Sequence, residues 1–154
     1  MIGKLAKYSL LSACLFAAAA TSANAQWWQQ HPKYLHAMSD LRQAYWLIVH
    51  RDSMDPDANM EERRATDEIR RAYQNLKDAS ITDGKDIADQ PPADMNYYDH
   101  RGRLHHALDL LHHAHEDVSG EEDDPAARGF RHKALKQIDK AAAATDDAIN
   151  AWHF

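Results

Sequence analysis

Leu35-His36-Ala37-Met38-Ser39-Asp40-Leu41 returns further along the chain as Leu104-His105-His106-Ala107-Leu108-Asp109-Leu110. Both copies read L-H-x-x-x-D-L. The offset that carries Leu35 to Leu104 then holds without a gap through the segment that follows. Identities continue at Val49/Val118, Asp55/Asp124, Pro56/Pro125, Ala58/Ala127, Ala65/Ala134, Ile69/Ile138, Ala72/Ala141 and Ala79/Ala148. His31/His100 precedes them. From Ala58 to Ala79 the apolar members fall three, four or seven residues apart, the spacing of one helical face. The chain therefore reads as a duplicated helical hairpin. Two amphipathic hairpins cannot each bury their own seam, so the expected fold is all-α, an antiparallel four-helix bundle.

The first hairpin is expected over residues 31–81. Pro32 suits a first helical position, and the first helix runs to about His50 on the seam Tyr34, Met38, Leu41, Tyr45, Ile48. Asp55-Pro56 starts the second helix, since Asp caps free amides and Pro fits the first turn. Its seam is Ala58, Ala65, Ile69, Ala72, Leu76, Ala79, and Asp83-Gly84 stops it, glycine being suited to a left-handed cap. Residues 82–99 form the one long connection, with Pro91-Pro92 and Tyr97-Tyr98; loops this long are often functional. The second hairpin is expected over 100–153. Its third helix carries Leu104, Ala107, Leu111, Ala114, Val118. The fourth starts at Asp124-Pro125 and carries Ala127, Ala134, Ile138, Ala141, Thr145, Ala148, Trp152. The long connection is expected to cross one end of the bundle, bringing His31 and His100 to that end.

Most repeated residues are seam or cap positions that any such hairpin needs. Three repeated polar positions are not: His31/His100, His36/His105 and Asp40/Asp109. On a helical wheel His36 and Asp40 fall on the face opposite Met38, away from the seam. His105 and Asp109 stand in the same relation to Ala107, and His112 and Glu116 prolong that stripe. Imidazole and carboxylate four residues apart on one helix can share a divalent cation. The candidate ligands are accordingly His31, His36, Asp40, His100, His105, Asp109 and His112, and zinc, copper or nickel suits such donors. The plainer reading is a solvated face with weak charge pairs. For His31 and His100 it is the capping of a helix start. His105-His106 and His112-His113-Ala114-His115 add a histidine-rich tract, compositionally suggestive of metal affinity.

Sharper chemistry is missing. There is no C-x-x-C-H for haem, no duplicated E-x-x-H for a di-iron bundle, and no H-E-x-x-H, P-loop or G-x-S-x-G pattern. Met38 reads as core rather than a haem ligand. An enzyme is not expected.

Composition bounds the address and the partners. Lys4 and Lys7, the apolar run Tyr8 to Ala20 and the cleavage signal Ala23-Asn24-Ala25 make residues 1–25 a signal peptide. That predicts a single domain over 26–154 in the periplasm or outside the cell. Leu11-Ser12-Ala13-Cys14 offers a rival lipoprotein site at Cys14, but the apolar run before Cys14 is very short and continues after it. Without Lys4 and Lys7 the remainder holds 16 basic and 24 acidic residues, a net charge of −8, which argues against nucleic acid. Cys14 is the only cysteine, so disulfides and thiolate chemistry are excluded from the domain. All 11 histidines lie after the leader, so protonating them would carry the net charge to +3.

The set His31-Pro32-Lys33-Tyr34-Leu35-His36-Ala37, Asp40-Leu41-Arg42, Asp83-Gly84-Lys85, Pro91-Pro92, Gly102-Arg103-Leu104-His105 and Glu121-Glu122-Asp123-Asp124-Pro125-Ala126-Ala127-Arg128-Gly129 resembles a group of small exported bacterial helical proteins of uncharacterised function. The resemblance implies export and a helical bundle, and implies no activity. Two functions are compatible with these readings. One is an exported, non-enzymatic binding protein for a transition metal. The other is a structural or partner-binding bundle, responsive to acid, that holds no metal.

Overall fold

A computed structural model describes residues 33–50, 59–88, 93, 99–120 and 124–151. They form four helices, α1 (Lys33–Val49), α2 (Met60–Thr82), α3 (His100–Ser119) and α4 (Arg128–Ala151), and no strand is found among them. None of these helices is long and apolar enough to cross a membrane.

The helix ends follow local chemistry. Asn59 caps α2 by accepting a hydrogen bond from Glu62 N–H at 2.8 Å. The expected Asp55-Pro56 start lies outside the described residues. Asp99 caps α3 through Gly102 N–H at 2.6 Å. Asp124 accepts from Ala126 N–H at 2.7 Å, and one turn later α4 begins. Gly84 ends α2 with φ of +70°, while Lys85 N–H returns to Ser80 O at 2.8 Å. That left-handed position is costly for any residue with a Cβ.

The expected seams are the core. Tyr34, Met38, Leu41 and Ile48 of α1, Ala65, Ile69, Ala72, Leu76 and Ala79 of α2, and all five seam residues of α3 are buried. So are Ala127, Ala134, Ile138, Ala141, Thr145 and Ala148. Trp152 lies outside the described residues. Two helices carry alanine at strict heptad intervals: Ala65, Ala72, Ala79 on α2 and Ala134, Ala141, Ala148 on α4, all fully buried. A methyl at each such step keeps the interhelical distance short, and α2 and α4 share the most extensive contact in the bundle.

α1 packs on α2 and α3, and α4 packs on α2 and α3; the α1–α4 and α2–α3 pairs are the diagonals. Helix directions follow from the bonds between ends. Ser80 Oγ of α2 lies 3.9 Å from Met38 Sδ of α1. Lys33 Nζ, at the start of α1, donates to Gly120 O, at the end of α3, at 3.2 Å. Asp124 N–H, before α4, donates to Asp83 Oδ1, after α2, at 2.8 Å. Arg131 of α4 donates to Val118 O at 3.0 Å and Ser119 O at 2.7 Å. Every neighbouring pair is therefore antiparallel: α1 and α4 point one way, α2 and α3 the other.

This corrects the expected course of the long connection. α3 begins at the end opposite to the start of α1. The connection after α2 must therefore span the bundle's length, about 30 Å for a 20-residue helix. The 17 residues 83–99 suffice, since an extended residue spans about 3.3–3.6 Å. This order lets the end carbonyls of α3 meet Lys33 and Arg131.

Ala72→Leu tests the close α2–α4 approach. The extra side chain should cost about 1–3 kcal/mol in urea unfolding, whereas Arg64→Leu on the exposed face of α2 should change the midpoint little. Equal effects would rule out a tight alanine seam.

Candidate functional site

The described structure separates the repeated polar residues instead of gathering them. The register of α1 on α3, set by Lys33–Gly120 and by Gln43–His106, centres the contact near Leu41 and Leu110. His36 thus lies toward one end of the bundle and His105 toward the other. Asp40 and Asp109 stand close to the centre, but Asp109 is exposed while Asp40 is half-buried. His31 lies outside the described residues. His100 starts α3 at the end of the bundle away from the start of α1. His105 Nδ1 is 2.9 Å from Arg101 O on its own helix. His105, Asp109 and His112 are exposed, as the wheel anticipated. Among the described residues no three His, Cys, Asp or Glu side chains form a group that could hold a metal ion.

For α1 the wheel placed His36 and Asp40 on the far face, and the structure corrects this. Both are half-buried. α1 presents one side to α2 and another to α3, so its buried arc takes in Leu35, Ala37, Ser39, Gln43, Ala44 and Leu47 besides the seam. The far face of one contact is the near face of the other.

That second contact is a polar seam. Gln43 Nε2 lies 3.3 Å from His106 Nε2 across α1 and α3. Further along α1, the half-buried Asp40 feels the charges of Asp117 and His113 of α3. Burial pushes the Asp40 carboxyl up to about 7; the Asp117 charge adds to the rise and His113 opposes it. An ionised carboxylate loses hydration in the seam and meets a like charge, while the imidazole offsets only part of this. The seam changes charge within the neutral range.

The sequence reading missed Gln43, His106, His113 and Asp117 as seam residues, because none repeats at the offset between the two hairpins. The signal available was the width of the apolar arc on α1, too broad for a helix with a single partner. It also missed Glu62 and Arg103, each 1% exposed, which stand at the starts of α2 and α3, the end remote from Lys33.

The opposite end is tied together by Asp83. Burial works against its carboxylate, but the Asp124 N–H bond and Lys85, 2.9 Å away, prevail and hold its pKa below the ordinary value. Lys85 also lies over the Tyr34 ring, 4.3 Å from its centroid. Asp83 was expected as part of the stop of the second helix, and Lys85 follows two residues on. Their role in the structure is to join the start of α1, the end of α2 and the start of α4.

A separate cleft of about 400 Å³ opens between α3 and α4, where His112, His115, Glu116 and Asp139 stand over Leu111 and Ile138. His115 Nε2 lies 3.3 Å from Asp139 Oδ1. Of the candidate ligands only His112 enters this cleft.

No family model, curated protein or solved structure matches the chain. Function is therefore argued from these residues alone.

The Asp40 carboxyl gives a pH dependence whose sign is determined. Its folded pKa, about 7, lies above the unfolded 3.8. The folded state thus holds the extra proton between those values, and Asp40 lowers stability progressively as pH rises from about 4 to 7. Asp40→Asn should gain about 1–4 kcal/mol over the unmodified protein at pH 8 and almost nothing at pH 4. Denaturant titrations at both pH values measure it; a gain that did not vary with pH would refute the assignment.

Proposed function

We propose that this is an exported, non-enzymatic partner-binding bundle of the cell envelope, with an α1–α3 seam that tightens as its surroundings acidify. The reading is carried by the half-burial of Asp40 on α1, which packs on α3, where the charges of Asp117 and His113 reach its carboxyl. When Asp40 takes up a proton, the repulsion from Asp117 vanishes. Asp40 thus favours the folded state more as pH falls from about 7 to 4. Over the same range the 11 histidines move the surface toward positive charge, which would alter its choice of partner while the scaffold persists. The leader at residues 1–25 supports a compartment that shares the acidity of the surroundings.

The test is the melting temperature from pH 8 to pH 5, with protein expressed behind its own leader. A rise on acidification that is flattened in Asp40→Asn is expected. A fall through this range, alike in both proteins, would remove the proposal.

A second reading keeps the divalent metal, zinc, copper or nickel. The α3–α4 cleft favours it, since His112, His115, Glu116 and Asp139 are imidazole and carboxylate donors on two helices. Closing them around an ion would require side chains to rotate together, and binding would fade as the imidazoles protonate. Calorimetric titration with each metal at pH 7 and pH 5.5 decides between the readings. Stoichiometric heat at pH 7 that is lost at pH 5.5 and in His112→Ala/His115→Ala would establish the metal, and flat heats would dismiss it.

A further inference from the structure

The α1–α2 groove holds a second cleft, of about 560 Å³. Leu41 and Ile69 form its floor, and Tyr45, Trp46 and Tyr73, all partly buried, form its walls. Arg42 and Arg70 stand at its rim. No acidic residue is found among the described residues that line it. Its size is that of a small-molecule site, and an apolar body with a few charged groups is the usual make-up of one.

The chain contains its own comparison. At the repeat offset Leu41 and Ile69 correspond to Leu110 and Ile138, and of these Ile138 lies under the α3–α4 cleft as Ile69 lies under this one. The remaining lining differs. Arg42 corresponds to Leu111, Trp46 to His115, Arg70 to Asp139 and Tyr73 to Ala142. These last four line the α3–α4 cleft, the counterpart groove. A hairpin of this type therefore packs without the two arginines, the tryptophan or the tyrosine. The fold does not explain their presence around one groove, and the charge there is opposite to that around the other.

We propose that the α1–α2 cleft binds a small aromatic carboxylate. The three rings supply flat apolar walls for an aromatic body, and offset or edge-on ring contacts add to the burial. Trp46 is held for this by stacking on His50, with centroids 4.3 Å apart and planes 16° apart. The anion is met at the rim. Arg70 is engaged with Asp67 of its own helix, which leaves Arg42 as the principal carboxylate partner. Its planar guanidinium can donate two parallel hydrogen bonds to one carboxylate. In a domain of net charge −8 this basic, aromatic groove is where an organic anion would be accepted rather than repelled. The site lies on the α2 side of α1, away from the Asp40 seam, and does not depend on the acid-responsive reading.

The probe is naphthalene-2-carboxylate, with 2-naphthylmethylammonium as its cationic counterpart, titrated by calorimetry and by amide chemical shifts into protein expressed behind its own leader. One-to-one binding of the carboxylate is expected, with shifts along α1 and α2 and binding of the cation at least about tenfold weaker. Arg42→Gln should weaken the carboxylate by about tenfold or more. Arg42→Lys should restore part of the loss, because charge without the planar fork still attracts the anion. Unchanged circular dichroism shows that these surface variants fold. No saturation by about 5 mM, equal binding of the cation, equal binding by Arg42→Gln, or shifts confined to α3 and α4 would each overturn the proposal.

Discussion

The close approach of α2 and α4 is the constraint from which the rest of the arrangement follows. Six fully buried alanines at heptad spacing lie on these two helices, which share the most extensive contact in the bundle. Larger residues are then accommodated on the other sides of the square. Tyr34, Leu35, Met38 and Leu47 fill the bundle from α1. Leu104 and Leu111 do so from α3. Bulk is thus concentrated in the first helix of each hairpin. With α2 and α4 antiparallel and in contact, α1 and α3 must also pair, and they too run antiparallel. The α1–α3 contact is centred near Leu41 and Leu110, and α2 meets α4 where Asn75 donates to Gln137 Oε1 at 2.7 Å. The connection between α2 and α3 is long because this arrangement puts the end of one and the start of the other at opposite ends.

The polar residues divide the bundle along its axis. At the Lys33 end, charges are local and well partnered: Asp83 with Lys85 and Asp124 N–H, Lys33 with Gly120 O, and Arg131 with two carbonyls of α3. These bonds satisfy helix ends that would otherwise be left bare. Toward the other end, charge goes inside, with Glu62 and Arg103 both buried. Buried charges of this kind contribute little net stability but are costly to disturb. The α1–α3 seam lies between these regimes. Asp40 is covered enough to resist ionisation and near enough to His113 to feel a cation. A charge in that position is neither a plain surface group nor a fixed structural pair, and burial of this kind brings a carboxyl toward neutrality.

How much of this was legible in the sequence depends on how local each feature is. Helical seams and caps are properties of a few neighbouring residues. The alanine and leucine seams, Gly84 after α2 and Asp124 before α4 could accordingly be read directly. The direction of α3 relative to α1 could not, because it rests on a bond between Lys33 and Gly120, at opposite ends of three intervening segments. The error at His36 and Asp40 has the same origin. A wheel drawn around one seam assumes one partner, and α1 has two. Repetition was also a partial guide to the site. It pointed to His36/His105, which the antiparallel register draws apart, and to Asp40/Asp109, of which only Asp40 turns into the seam. The groups that face Asp40 are Asp117 and His113, whose equivalents in the first hairpin are Ile48 and Ala44. A site that forms between two copies need not consist of the residues the copies share.

The same reasoning applies to the two grooves. Identities at the repeat offset mark what both hairpins need for packing, as Ile69 and Ile138 do in the two cleft floors. Differences mark what packing leaves free. Around the α1–α2 groove those differences are Arg42, Trp46, Arg70 and Tyr73; around the α3–α4 groove they are His115 and Asp139. Large aromatic and cationic side chains at half-exposed positions carry an entropic cost and add little to a core already closed by Leu41 and Ile69. One groove has become apolar and basic, the other imidazole-bearing and acidic, on a single shared frame.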